Sequence, residues 1–375
     1  MKLSLSWIKD FVNIPEDMDM KQLAYDLTMD TVEVEDVEYL ADRFDHMVVG
    51  VIEDIEPHPN ADKLRVCKVD IGDGEIKDIV CGGINLEKGM RVAVSCPGAI
   101  VRWHGEGEPV EIKKSKLRGV ASYGMICASD EIGLGDLFPA SQEAEILDLS
   151  AFDVPAGTTL ADALDLNDVL LEIDNKSMTN RPDLWGHYGI AREIAALYNL
   201  PLAEIKPFET DVQSDFNVEI ADPDRCPRYI GVEMSGVNVK EAPYQMQSRI
   251  WKVGMRPINA LVDITNYVML ATGNPTHAFD ADNISDHIVV RHAAENEKLL
   301  LLNDKELSLC TDDLVITDSE GPVALAGVMG GAKDSILPKT ERVILEVANF
   351  EAAGIRRTAL RYDNRTEASS RYEKA

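Results

Sequence analysis

The chain has 375 residues, 45% of them hydrophobic and 27% charged, which is an ordinary globular composition with room for two to four domains. Its formal net charge of −29 argues against a general nucleic-acid binder, because phosphate contacts need clustered Lys and Arg. No apolar run reaches the roughly 18 residues of a membrane span, and six scattered cysteines without C-x-x-C argue against a disulfide framework or zinc site and fit a reducing cytoplasm.

The opening MKLSLSWIKDFVNIPED lacks the apolar core and cleavage site of a signal peptide. It reads as a short helix with Trp7, Ile8, Phe11 and Val12 on one face. A second helix follows over about 19–30, then the acidic extended piece VEVEDVEYL. From 41 to 150 the texture changes. The β-rich runs MVVGVIEDI, LRVCKVDIG, IKDIVCGG and RVAVSCPG alternate with Gly/Pro/Asn turns, the pattern of a small barrel or sandwich. Helix returns over 151–205 in WGHYGIAREIAALYNL, which places the barrel as an insertion in one α/β unit made of 1–40 and 151–205. Residues 206–375 read as mixed α/β: a helix near 243–254, then strands HIVVRHA, KLLLLN, DLVITD and RVILEVANF.

Two basic patches stand out of the acidic background. KKSKLR occupies 113–118, and RRTALRYDNRTEASSRYEK at 356–374 holds six basic against three acidic residues. Either could be a solvated face. Over 40–150 acidic residues outnumber basic ones, 20 to 12, so binding there would be local and directional. His187 reads as a packed or capping histidine. His277, His287 and His292, spaced by ten and five, lack paired-ligand spacing and make a poor metal set. The GGAK string lacks the G-x-x-x-x-G-K-[ST] phosphate-loop spacing. There is no G-x-S-x-G nucleophile elbow.

The strings HPNADKLRVCKVDIG (58–72), IVCGGIN (79–85) and SKLRGVASYGMICAS (115–129) together resemble the tRNA-binding oligonucleotide-fold domain. With LEIDNKSMTNRPDLWGHYGIAREIAAL (171–197), MRPINALVDITNYVMLATGNPTHAFD (255–280), LAGVMGGAKDSI (325–336), VILEVANF (343–350) and RTEASSRYEK (365–374), the whole chain resembles the bacterial phenylalanyl-tRNA synthetase β-subunit family. That family's chain is about twice as long, so this one reads as its N-terminal half. The resemblance implies an α+β multidomain architecture: a small oligonucleotide-fold β-barrel (41–150) inserted in an N-terminal α/β unit, followed by a mixed α/β editing domain (206–375). It implies tRNA(Phe) and an α subunit as partners in an α2β2 assembly, with ATP and magnesium used by parts of the enzyme outside this chain and no cofactor within it.

The same resemblance implies hydrolysis of tyrosine wrongly joined to tRNA(Phe). A mostly apolar pocket cannot strongly reject an isostere that only adds a hydroxyl, whereas a second site that hydrogen-bonds the hydroxyl can select for it. Glu346, in the apolar strand VILEVANF, matches the family's tyrosine-sensing glutamate, although a lone strand Glu ordinarily faces solvent. Gly330 and Gly331 would allow close approach and offer N–H donors. His277, expected on a loop after Pro275, matches a pocket histidine that orients water or adenosine. Thr265 and Asn266 would contact ribose or substrate, Arg256 the terminal phosphate or adenosine, and Thr366 and Ala368 would form the pocket floor. Lys113, Lys114, Lys116 and Arg118 would meet tRNA phosphates. The alternative is a noncatalytic tRNA-binding and assembly module with a degenerate pocket.

Overall fold

A computed structural model describes residues 1–208 and 216–374. The chain begins with strand β1 (Lys2–Ser4), the single helical turn α1 (Leu5–Ile8), helix α2 (Met20–Asp30) and strand β2 (Val34–Tyr39). Nine strands follow: β3 (Met47–Pro57), β4 (Arg65–Asp70), β5 (Ile76–Cys81), β6 (Arg91–Ser95), β7 (Ile100–Val101), β8 (Val110–Glu111), β9 (Ser115–Leu117), β10 (Val120–Ser122) and β11 (Met125–Ile126). Then come α3 (Leu160–Ala163), β12 (Val169–Ile173), α4 (His187–Tyr198), β13 (Val218–Ile220) and β14 (Arg228–Ser235). Helices α5 (Tyr244–Lys252) and α6 (Ala260–Thr272) lead into β15 (Thr276–Asp280), β16 (Ile288–His292), β17 (Lys298–Leu300) and β18 (Glu306–Ser308). The chain continues through β19 (Leu314–Thr317), β20 (Pro322–Leu325), β21 (Met329–Gly330), β22 (Arg342–Asn349), α7 (Ala352–Arg361) and α8 (Glu367–Tyr372).

The result is a mixed α/β multidomain chain that packs as two units. One comprises Met1–Val37, Leu171–Val253 and Pro257–Ala375; the other comprises Glu38–Leu170 and Gly254–Arg256. In the second unit, five strands in the order β11-β6-β3-β4-β5 form an antiparallel, barrel-like sheet, with edge strands β5 and β11 drawn near each other. Long β3 serves both β4 and β6, and its register with β4 shifts between Ile52 and Asp54. Such a bulge lets one strand bend and belong to two sides of a curled sheet. Ile52, Cys67, Val69, Ile79, Val92 and Val94 fill its interior.

The string HPNADKLR acts here at a distance. The His58 Nδ1 accepts from Asn60 N (3.0 Å), so Nε2 carries the proton and donates to Leu117 O (3.1 Å). Asn60 Nδ2 donates to Arg118 O (3.0 Å). Both bonds hold the β9–β10 hairpin, whose two-residue loop, Arg118 (φ 45°) and Gly119 (φ 95°), has the paired positive φ of a tight hairpin turn.

The first unit contains a five-stranded sheet, β13-β16-β19-β20-β21, and a three-stranded sheet, β14-β22-β15. Phe279, Val290, Leu301, Val315, Leu325 and Ile344 belong to one apolar core here. Helix α6 starts because the Asn259 side chain accepts from Leu261 N and Val262 N (3.1 Å each), and it stops at Gly273 (φ 83°). His187 is fully buried, its Nδ1 donating to Leu270 O (2.7 Å) and its Nε2 accepting from Ser4 N (3.0 Å), a packing role.

Two expectations differ from the structure. The opening helix is one turn only; Ser4 caps it, and by Val12 the chain is bridged to Leu202. His277 is not on a loop. The Gly273-Asn274-Pro275 turn ends one residue before β15, and β22 supplies the ladder that extends Thr276–Asp280 as a strand. A turn signal is local, whereas the partner strand lies almost seventy residues away.

Candidate active site

Strand β22 lies between β14 and β15, and Glu346 is paired with Gly231 on one side and His277 on the other. Side chains alternate along β22: Leu345 and Val347 are half-buried, while Glu346 turns inward and is 5% exposed. Glu346 and His277 open onto a small cavity of about 70 Å³, also lined by Thr276, Leu325, Val328, Met329, Gly330, Ala368 and Tyr372. At 10–15 Å³ per water-sized occupant, this holds roughly five heavy atoms, about the scale of an aromatic side-chain tip.

Burial sets the electrostatics. The Glu346 carboxyl is pushed up to about 7, opposed by the hydrogen bond that Tyr229 Oη donates to Oε2 (3.0 Å). Tyr229 is itself buried, its phenol held well above 10 by burial and by the nearby carboxylate. The His277 ring reaches solvent through the cavity, yet protein surrounds it closely, and burial lowers its pKa to about 4. At neutral pH it is an uncharged imidazole, packed edge-on against Phe279 (4.6 Å between ring centroids). Among the described residues no protein group hydrogen-bonds its ring nitrogens.

Gly330 is a glycine because His277 needs the space. A Cβ there would lie 2.7 Å from both Cε1 and Nε2 of the imidazole. Gly331 is crowded differently, by Val323 O at 2.3 Å from an added Cβ. Its N–H already donates to Val323 O (2.8 Å), so the expected free donor is spent within the sheet. Lys333 pairs with Asp318 (3.3 Å) and Glu320 (2.5 Å), and the turn forms no phosphate cradle.

The other expected residues take varied positions. Ala368 lines the cavity. Thr366 caps α8 instead: its hydroxyl accepts from Ser369 N (3.1 Å) and donates to Val328 O (2.9 Å). Thr265 is buried in α6, its hydroxyl donating to Val262 O (2.7 Å), while its carbonyl accepts from Thr276 Oγ1 (3.3 Å). It therefore braces the strand that carries His277. Asn266 is half-buried on α6 outside the cavity lining, and Arg256 belongs with the second unit.

Sequence reasoning missed Tyr229, Tyr372 and Asp334. Tyr372 donates toward Pro275 O (3.1 Å) and Ala348 O (3.2 Å) and forms a cavity wall. Asp334, within the GGAKD string, is fully buried with both carboxyl oxygens unpartnered among the described residues, and burial raises its pKa to about 8. No local pattern distinguishes a buried Asp from a solvated turn Asp.

In the second unit, Lys113, Lys114, Lys116 and Arg118 cluster on and before the β9–β10 hairpin. Lys113 pairs with Glu111 (3.2 Å), and Lys114 and Lys77 both approach the Tyr123 ring (5.0 and 5.1 Å). A hollow of about 750 Å³ lies beside the hairpin, walled by Trp103, Leu117, Ile126 and Ile146, with Trp103 half exposed. The C-terminal basic run is used internally: Arg357 and Arg361 pair with Asp312, Arg361 also with Asp313, and Arg365 with Glu373. Arg371 is buried against Trp185 O and Glu367. Among the described residues no helix is long and apolar enough to cross a membrane, and no group of three His, Cys, Asp or Glu is placed to hold a metal.

Comparison with known proteins agrees with this division. The B3/4 domain family matches residues 225–375, and a putative tRNA-binding domain family matches 47–158. Phenylalanine–tRNA ligase beta subunits from Oceanobacillus iheyensis and Pectobacterium atrosepticum are each 40% identical to this chain, covering 100% of it and 46% of the relative. A crystal structure of an N-terminal fragment of the phenylalanyl-tRNA synthetase beta subunit from Pyrococcus horikoshii is 19% identical, with a TM-score of 0.31, over 52% of this chain and 61% of that one. The chain spans about half the length of the curated relatives it matches. It belongs to the phenylalanine–tRNA ligase beta subunit family.

Proposed function

We propose that the first unit carries a hydrolytic editing site that removes tyrosine from mischarged tRNA(Phe). The observation that carries this reading is Glu346: a carboxylate at a small, largely buried cavity, with one oxygen bonded to Tyr229 and no protein partner for the other among the described residues. A tyrosyl phenol entering the cavity would find a charged acceptor. A phenylalanyl ring would leave that acceptor buried and unpaired, which costs about 1–3 kcal/mol or more for a charged group.

Neutral His277 beside Glu346 supports a role in placing a water or the terminal adenosine. With a pKa of about 4 it is a weak base at neutral pH. The reaction breaks the ester bond between the tyrosyl carbonyl carbon and the tRNA terminal oxygen. Water supplies the new C–O bond, and its protons pass to the leaving oxygen and solvent. Thr265, through Thr276, and Gly330, through its missing side chain, keep His277 in place.

The second unit, read as an oligonucleotide-fold barrel, would contact tRNA through Lys114, Lys116 and Arg118 beside the apolar hollow with Trp103. Lys114 and Lys116 line a separate shallow hollow with Tyr123, where cations beside an aromatic ring suit phosphates and unstacked bases, whereas Glu111, Asp130, Glu131, Glu143 and Glu145 edge the hollow by Trp103. In the whole cytoplasmic enzyme, an α subunit would perform phenylalanylation with ATP and magnesium in an α2β2 assembly.

The test is release of tyrosine from tyrosyl-tRNA(Phe) by the assembled αβ enzyme. Release that falls on Glu346→Ala supports editing. No release, or release indifferent to Glu346, leaves the noncatalytic tRNA-binding and assembly reading in its place.

A further inference from the structure

Among the described residues, one donor holds Glu346 from within the protein. Tyr229 stands two residues before Gly231, the β14 partner of Glu346, so both project to the inner face of the sheet. Its ring belongs to the apolar core and its hydroxyl donates to Oε2 at 3.0 Å. Tyr372 also lies close, but its single proton is directed at the Pro275 and Ala348 carbonyls. His277, directly across the strand pair, makes no hydrogen bond to the carboxylate. Without Tyr229 the carboxyl group could turn about its last torsion, which is broad and nearly two-fold. With Tyr229 bonded, the two oxygens are no longer equivalent.

We infer that Tyr229 is a positioning residue for tyrosine recognition: by holding Oε2 it fixes the Glu346 carboxylate and leaves Oε1 for the substrate phenol. This rests on the editing reading above. It also separates two phenols that could compete for one glutamate, because the internal one is anchored in the core and takes its own oxygen.

The hydrogen bond favours the ionised carboxylate and opposes the effect of burial. The groups facing Glu346 are Cys226 just before β14, Tyr229 on β14, His277 on β15, Tyr372 on α8 and Asp334 after β21. Only Tyr229 donates a hydrogen bond to it among the described residues. Tyr229→Phe keeps the ring and removes the donor. Glu346 then ionises at higher pH, and the pH midpoint of tyrosyl-tRNA(Phe) deacylation moves upward with it.

The experiment compares wild type, Tyr229→Phe, Glu346→Gln and the double variant in the assembled αβ enzyme, measuring kcat/KM for deacylation from pH 5.5 to 9. The expected result is a loss of about ten-fold or more at pH 7 for Tyr229→Phe, as for a hydrogen bond to a charged group. The loss narrows toward pH 9, and Tyr229→Phe has little further effect on Glu346→Gln. A carboxylate 13C titration of Glu346 in the 375-residue chain should show the same upward shift. An unchanged midpoint in active wild type and variant, a loss equal at every pH, or a gain in activity on Tyr229→Phe overturns this role while leaving editing standing. No deacylation by wild type overturns the editing reading itself.

Discussion

His277 and Glu346 are direct partners across β15 and β22, yet the hydrogen bond that Glu346 accepts comes from Tyr229 on the opposite neighbour, β14. The cavity thus places a charged acceptor and a neutral imidazole side by side without tying them together. Their contributions to the proposed reaction should be separable.

Glu346→Gln should lower tyrosine release by about ten- to a hundred-fold, since a hydrogen bond to a charged group is worth about 1.5–3 kcal/mol. It should leave the fold intact, because the amide is nearly the same size. Deacylation assays and thermal melts of the same preparations check both parts. The carboxyl titrates at about 7, so wild-type activity should rise with pH through that value. The Gln variant should lack the rise.

His277→Ala should cost less, under about ten-fold. With its pKa near 4 the ring stays neutral across pH 5.5–9, so its removal should lower the rate without moving the pH profile. A shifted profile in that variant would assign the titration to His277 instead of Glu346.

Gly330→Ala tests the packing between β21 and the imidazole. The added methyl meets Cε1 and Nε2 at 2.7 Å, so His277 must move or the strands must part. Overpacking of this kind costs about 1–3 kcal/mol. A lowered melting midpoint together with reduced deacylation is expected; an unchanged midpoint would mean that the ring moves freely.

Asp334 gives a stability prediction. Its carboxyl is buried without partners and titrates at about 8 in the folded protein, against 3.8 ordinarily. The raised folded value means that its stabilising contribution is full below about 4. The contribution is lost as pH rises toward 8, by up to about 1.4 kcal/mol per pH unit. Asp334→Leu should therefore flatten the decline in urea midpoint between pH 5 and 8. An identical pH slope in variant and wild type would count against the buried-acid reading.

In the second unit, Lys114→Ala and Lys116→Ala should weaken tRNA binding and reduce the salt slope of log K by up to about one per lysine. Lys113, already paired with Glu111, should matter less. Filter-binding titrations at several salt concentrations measure this.

The residues of the cavity were legible to different degrees. Glu346 stands out because a charge in VILEVANF breaks an apolar run, but alternation only sets it opposite Leu345 and Val347; its inward placement is an expectation from the family resemblance, and packing around β22 decides it. Gly330 was legible as a close approach, but the group approaching it, His277, was not. Thr366 in RTEAS, expected at the pocket floor, caps α8 instead, accepting from Ser369 N and donating to Val328 O. The basic run at 356–374 reads from composition as a solvated face or a basic patch, and Asp312, Asp313, Glu367 and Glu373 neutralise much of it.

By itself the sequence determined the local grammar: the short β-rich runs and turns of 41–150, the helix near 243–254, the apolar strand interrupted by Glu346, and the family signature over the whole length. These depend on period, capping and turn chemistry within a few residues of each other. Tertiary structure decided which groups share a cavity. Tyr229, His277 and Glu346 come from positions spread over more than a hundred residues, and only the pairing of β14, β22 and β15 aligns them. Burial then set their charge states, because desolvation depends on everything packed around a group and not on its neighbours in the chain.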